Sequence, residues 1–255
     1  ITIFILLNIY LFFEEGLDFL NNYKKIGLSG LIGGAGLGTA MISFIWSITH
    51  TSAAITLLCL AAMPFMTALL GFLFLKEIIS TNVWVAIFTA AVGIVIMALG
   101  NFETGSLFGL TFGLISALGF SIFSVTLRWR KETPKFTTVA VAGLFCFITA
   151  TIMILVNKQT FFATSYNSAM FSLHGVLVCL GLILYSIGSK AIQAAELTLL
   201  SLTEVIGGIF WVWLPLFGIN EIPSTNTIVG GFFLFVSLIY YSLIMRWNKR
   251  YIALN

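Results

Sequence analysis

Long runs of apolar residues, each closed by a short polar or charged stretch, organise this chain from end to end. The runs span 1–13, 27–49, 53–75, 82–100, 106–127, 137–156, 171–188, 194–217 and 226–245. A helix rising about 1.5 Å per residue needs about 20 residues to cross a hydrocarbon core of about 30 Å. Most of these runs meet that length. The pattern therefore predicts an all-α membrane protein, a polytopic bundle with nine visible spans. The first run is short, ending at Glu14 and Glu15, and the chain begins with Ile1, so a preceding helix is expected to be missing. A signal peptide would carry a basic head and a small-residue cleavage site, and neither is seen here.

A second pattern lies over the first. Glu77-Ile78-Ile79-Ser80-Thr81-Asn82 returns as Glu221-Ile222-Pro223-Ser224-Thr225-Asn226, five of six positions identical at an offset of 144. Upstream, Ser52-Ala53-Ala54-Ile55-Thr56-Leu57-Leu58 aligns with Gln193-Ala194-Ala195-Glu196-Leu197-Thr198-Leu199 at an offset of 141. The second copy then has three extra residues, expected around Pro215 to Gly218. Repeats at this distance in an apolar chain point to a duplicated membrane unit.

Basic residues give the handedness of that duplication. With alternate loops assigned to opposite sides, one side collects Lys24, Lys25, Lys76, Arg128, Arg130, Lys131, Lys135, Lys190, Arg246, Lys249 and Arg250, and the other only Lys158. Lys and Arg accumulate in cytoplasmic loops. The visible N-terminus is thus expected outside and the C-terminus in the cytoplasm. An odd number of spans separates the two hexapeptides, which would put Glu77 and Glu221 on opposite faces. The repeats are expected to be inverted.

Composition sharpens the class. Hydrophobic residues make up 60% of the chain, charged ones 8%, and the mean hydropathy is +1.09. A soluble domain carries about 25% charged residues, so water alone could not solvate this surface. The net charge of +3 sits in short loops, as orientation requires, and gives no reason to expect nucleic acid as a partner. Cys59, Cys146 and Cys179 fall inside apolar runs, where a thiol packs as a small hydrophobe. They predict neither a disulfide framework nor a metal site.

The segments Ala61-Ala62-Met63-Pro64-Phe65 and Leu73-Phe74-Leu75-Lys76-Glu77, with the later Thr203-Glu204-Val205, Trp211-Val212-Trp213 and Asn220-Glu221-Ile222-Pro223, resemble the two EamA repeats of the drug/metabolite transporter superfamily. The resemblance covers nearly the whole chain, with two departures: Val205 stands where the first copy has Pro64, and the second copy carries the insertion. It implies ten helices in two inverted five-helix halves, here 1–100 and 101–255, around a central cavity used by alternating access. It also implies a multi-pass protein of the cytoplasmic (inner) membrane. The expected partners are then a small-molecule substrate and the lipid bilayer, with a homodimer left open.

Polar chemistry within the spans supplies the candidate site. A carboxylate at a helix centre costs roughly 2.5 to 3.5 kcal/mol on insertion scales and normally faces a cavity or a partner. Glu204 lies ten residues into its run, about 15 Å deep, and is the candidate for a proton or a cationic substrate group. An inter-helix hydrogen bond from a neutral Glu204 is the competing reading. Glu196, about 80° away around the helix, could line the same broad face or serve at the interface beside Lys190. His50 and His174 fall toward the outer ends of their runs, where imidazole reaches water, and two such residues do not make a metal site. Trp46, Trp211 and Trp213 suit either an interfacial belt or an aromatic wall against a ligand.

The glycine-rich stretch 30–38 has neither the preceding strand nor the following acid of a dinucleotide loop. Gly30, Gly34 and Gly38 instead fall at i, i+4 spacing, which suits close helix packing. No Walker A sequence occurs. No cofactor is expected, and a gradient would have to drive transport. With no Lys or Arg deep in any run, small amines, amino acids or uncharged amphiphiles fit better than phosphorylated cargo. Two alternatives remain. An integral membrane enzyme would need a nucleophile, base or metal cluster, yet 14–26 and 157–170 contain no His or Cys. A scaffold or sensor would need an interaction surface or an appended domain.

Overall fold

The computed structural model describes residues 1–51, 53–99, 107–130, 132–158, 160, 164–213 and 225–254. The described residues form a helical membrane bundle without strands. In order the helices are α1 (Thr2–Glu15), α2 (Phe19–Lys25), α3 (Gly27–His50), α4 (Ala53–Leu60), α5 (Met63–Leu70), α6 (Thr81–Leu99), α7 (Leu107–Trp129), α8 (Lys135–Val156), α9 (Ser165–Gly188), α10 (Ala194–Ser201), α11 (Thr203–Trp213) and α12 (Thr225–Leu254). A π-helical turn, Gly71–Leu75, extends α5.

Four of these helices, α3, α7, α8 and α9, are each long and apolar enough to cross a membrane unbroken. The runs 53–75 and 194–217, which hydropathy reads as continuous, are each interrupted near the middle. The first breaks at Ala61–Ala62 and the second at Leu202. Hydropathy registers the apolar side chains but not the backbone turn. Helix α9 also begins at Ser165, six residues before its apolar run, because Thr164 caps it by accepting the Asn167 amide at 3.3 Å. The polar first turn hides that start from a hydropathy reading.

Helix α7 is the axis of the bundle. One of its sides lies against α3, and another against α4 and α5. Gly36 and Gly119 permit the first contact, since a Cβ on Gly119 would lie 2.5 Å from the Gly36 carbonyl oxygen. Gly30, Gly34 and Gly38 face α8 instead, where Cβ atoms would meet Thr138, Val141 and Phe145 respectively. Two apolar cores result. Leu7, Leu37, Phe123 and Val139 belong to the first, among α1, α3, α7, α8 and α9. Ala61, Ile87, Leu199, Leu202 and Leu234 belong to the second, which joins both interrupted segments to α6 and α12.

The basic loops gather at one end of the bundle. Ser29 and Thr133 share a buried 2.6 Å hydrogen bond that fixes the α7–α8 loop over the start of α3. Gly27, at φ 59°, lies at the junction of α2 and α3, and a Cβ there would lie 3.1 Å from an Arg130 Nη1. Arg128 ties the same end to Glu77 and Ser189. Lys24, Lys25, Lys76, Arg128, Arg130, Lys135 and Lys190 therefore share one end. Thr51 packs against Gly109, and His50 against Phe108, at the other. Glu221, Pro223 and the stretch around Pro215 to Gly218 lie outside the described residues.

Candidate functional site

The two helix breaks correspond under the repeat. Shifting α4 (Ala53–Leu60) by 141 gives α10 (Ala194–Ser201), with the same start, end and length of 8 residues. Ala61 then maps onto Leu202, and both are completely buried in one core. The two interrupted segments pack crosswise, α5 on α10 and α4 on α11. Discontinuous helices meeting in this way are how membrane proteins bring backbone polar groups to a buried depth.

Different chemistry makes the two breaks. In the first, Pro64 has no N–H and its ring clashes with the carbonyl four residues back, so a straight helix cannot pass. The Ala62 amide turns instead to the Cys59 carbonyl at 3.1 Å. Ser121 of α7 supports the restart by donating to the Met63 carbonyl at 3.2 Å. In the second, Val205 replaces proline and the interruption persists. Leu202 donates to the Leu199 carbonyl at 3.2 Å and Val205 to the Leu202 carbonyl at 3.1 Å, both tighter than α-helical spacing. Ser201 and Thr203 bond back to the carbonyls of Thr198 and Leu200 at 2.7 and 2.9 Å. Hydroxyls that compete in this way bend helices.

Glu204 stands just past the second break, in the first turn of α11. A carboxylate is favoured there, because the half-helix presents unpaired amides and the positive end of its dipole. The side chain is exposed and makes no hydrogen bond or ion pair with a described residue. Gly207 and Trp211 fall within about 60° of it around the helix at 3.6 residues per turn. A Cβ at Gly207 would meet nothing within 4 Å, and Trp211 is 54% exposed. Glu204, the gap at Gly207 and Trp211 therefore lie in one stripe along α11. Val205 is buried on the neighbouring face.

Glu196 is not part of that stripe. It lies in the first turn of α10, where its Oε2 accepts a 2.9 Å hydrogen bond from the Tyr241 hydroxyl of α12. His174 is separate as well. Its helix packs on α1 and α8, whereas α11 packs on α4, α10 and α12. Because α9 starts at Ser165, His174 is about 14 Å along the helix rather than near its end. Its side chain is exposed. Glu204 and Trp211 thus fall on one face of α11, and Glu196 and His174 lie on other helices. Among the described residues no group of three or more His, Cys, Asp or Glu is arranged to hold a metal ion.

The sequence reading missed the polar knot at the basic end. Arg128 Nε donates to Glu77 Oε1 at 2.7 Å, and its Nη1 donates to the carbonyls of Ser189 and Ile192 at 3.3 and 2.5 Å. Lys135 adds a 2.8 Å hydrogen bond to the Ser189 hydroxyl. Counting these cations for orientation gave no sign that one of them joins segments 51 and 64 residues away.

Residues 1–99 match the model of the EamA-like transporter family. The comparison with curated proteins returns no match. A solved structure described only as "Crystal structure of protein" superposes with a TM-score of 0.73, covering 97% of this chain and 86% of that one. At 15% identity, that likeness is one of fold.

Proposed function

We propose, from the premise that this chain belongs to the EamA-like transporter family through its residues 1–99, that it is a secondary transporter working by alternating access. Its cargo on this reading is a small metabolite or drug-like solute, such as an amine, an amino acid or an uncharged amphiphile, with export coupled to protons. The halves 1–100 and 101–255 are inverted repeats, and the passage lies where they meet. The membrane is the cytoplasmic one, with the basic end and the C-terminus facing the cytoplasm.

One observation carries this reading. The interruptions at Ala61–Ala62 and Leu202 fall at equivalent positions and meet in one core. A bundle that served only as a scaffold would gain nothing from two matched breaks at a buried depth, and each break forfeits backbone hydrogen bonds. A carrier needs such joints so that half-helices can tilt about a central point. Glu204, in the first turn after the second joint, is the proton or cation site, and Trp211 is the aromatic wall beside it.

Counterflow of labelled solutes in proteoliposomes tests the proposal. Accumulation of a labelled amine, amino acid or neutral amphiphile against an unlabelled internal pool is the expected result. Absence of movement across a broad panel would favour a scaffold, and chemical conversion of the label would favour an enzyme.

A further inference from the structure

The knot around Arg128 sits on both interrupted segments at once. Glu77 follows the π-helical extension of α5 directly, after the single linking residue Lys76. Ile192 precedes Gln193, the N-cap of α10. One guanidinium therefore bridges the end of α5 and the entry to α10, two half-helices that pack on each other. Its side chain is 26% exposed and that of Glu77 14%. Charges so far removed from water persist only when well paired.

The backbone leading to Glu77 is itself unusual. Gly71–Leu75 is wound as a π-helix, Lys76 takes a left-handed φ of 53°, and the Glu77 amide returns to the Gly71 carbonyl at 3.3 Å. A non-glycine residue with positive φ is uncommon, and π-turns concentrate at functional positions. Strained backbone of this kind persists where surrounding contacts hold it. Here the contact is the ion pair, which turns Glu77 back toward α7.

We infer that Arg128 is the bolt of a gate at the basic end: this conformation is closed there, and release of Glu77 lets α5 and α10 part and admits water toward the two breaks. The inference rests on the transporter reading for its purpose, but not for its test. An ordinary helix-end cap would engage carbonyls of a single helix. Arg128 instead joins a carboxylate of one interrupted segment to two carbonyls leading into the other. Lys135 holds Ser189 in the same loop, so the α9–α10 connection stays in place when the α5 side lets go.

The test uses the full chain in nanodiscs, with Cys59, Cys146 and Cys179 replaced by serine and Thr198→Cys as reporter. Thr198 is completely buried in α10, and its hydroxyl bonds only within its own helix, to Ala194 and Ala195. Alkylation by a water-soluble maleimide should accelerate about tenfold or more in Glu77→Gln, the scale expected for losing a charged hydrogen bond. Arg128→Lys, which keeps the charge but not the three-way fork, should give a smaller rise. Spin labels at Lys76→Cys and Lys190→Cys, both exposed, should show an added longer-distance population in Glu77→Gln. Glu77→Asp is the milder variant if Glu77→Gln does not fold, and should move both readouts in the same direction. Unchanged alkylation and unchanged distances in a folded variant would overturn the gate. Neither readout needs a substrate, so a gate that opens without solute movement would separate failure of the transporter reading from failure of this one.

Discussion

Tyr241 donates its hydroxyl to Glu196 Oε2 at 2.9 Å, joining α12 to the first turn of α10. Tyr241 is 4% exposed, so its hydroxyl depends on that acceptor. The contact gives Glu196 a specific partner, which interfacial placement beside Lys190 did not foresee. Tyr241→Phe removes the donor and leaves a carboxylate that still reaches water, so a loss of about 1 kcal/mol is expected. Glu196→Gln keeps an acceptor at the same place and should cost less. Thermal unfolding in detergent ranks the two, and equal or reversed losses would show that the bond is not what holds α10 to α12.

Glu204 differs from Glu196 in having no protein partner among the described residues. A carboxylate left unpaired beside the open position at Gly207 is available to a proton or a cation. Glu204→Gln preserves shape and removes that titration. Counterflow by this variant should persist while its pH dependence flattens. A profile that keeps the original slope would remove Glu204 from coupling and leave it a role in solubility of the break.

Much of the helix map was legible because burial in lipid demands long apolar runs, and because those runs end where charge begins. The starts of α3, α6 and α7 fall within one residue of the hydropathy reading. What hydropathy could not register is backbone shape within an apolar run. Pro64 lies just past the first break, but the offset of 141 places Val205 at the matching position, so no proline signals the second. The site was legible in part for the same reason. Glu204 and Trp211, seven residues apart, share a face by helical period alone. Arg128 and Glu77 meet only through tertiary packing, and nothing local to either residue announces it.

Close approach at Gly119 and open space at Gly181 make opposite predictions for the same substitution. A Cβ at Gly119 would lie 2.5 Å from a backbone oxygen that cannot rotate away, whereas one at Gly181 would meet nothing within 4 Å. Gly119→Ala should force α3 and α7 apart and cost about 1 to 3 kcal/mol. Gly181→Ala should be neutral or slightly stabilising, since alanine favours helix by about 1 kcal/mol over glycine. Unfolding midpoints for the two variants decide the matter, and equal midpoints would mean that the α3–α7 seam yields more easily than its geometry suggests.

Val205 occupies the position where the first copy has Pro64, and its replacement by proline isolates what the break tolerates. Inside an intact helix proline costs about 3 kcal/mol, from a lost hydrogen bond and a clash with the carbonyl four residues back. Val205 lies in the first turn after an existing interruption, where its amide makes a 3.1 Å bond to the Leu202 carbonyl. That bond is the only backbone contact at stake, the ring replaces a buried side chain of similar size, and proline is accepted in a first turn. Val205→Pro should therefore lose about 1 kcal/mol, while Leu200→Pro, inside α10, should lose the full interior penalty. Circular dichroism melts of the two variants provide the comparison. If Val205→Pro were as damaging as Leu200→Pro, α10 and α11 would behave as one continuous helix, and the two segments would no longer share a common joint.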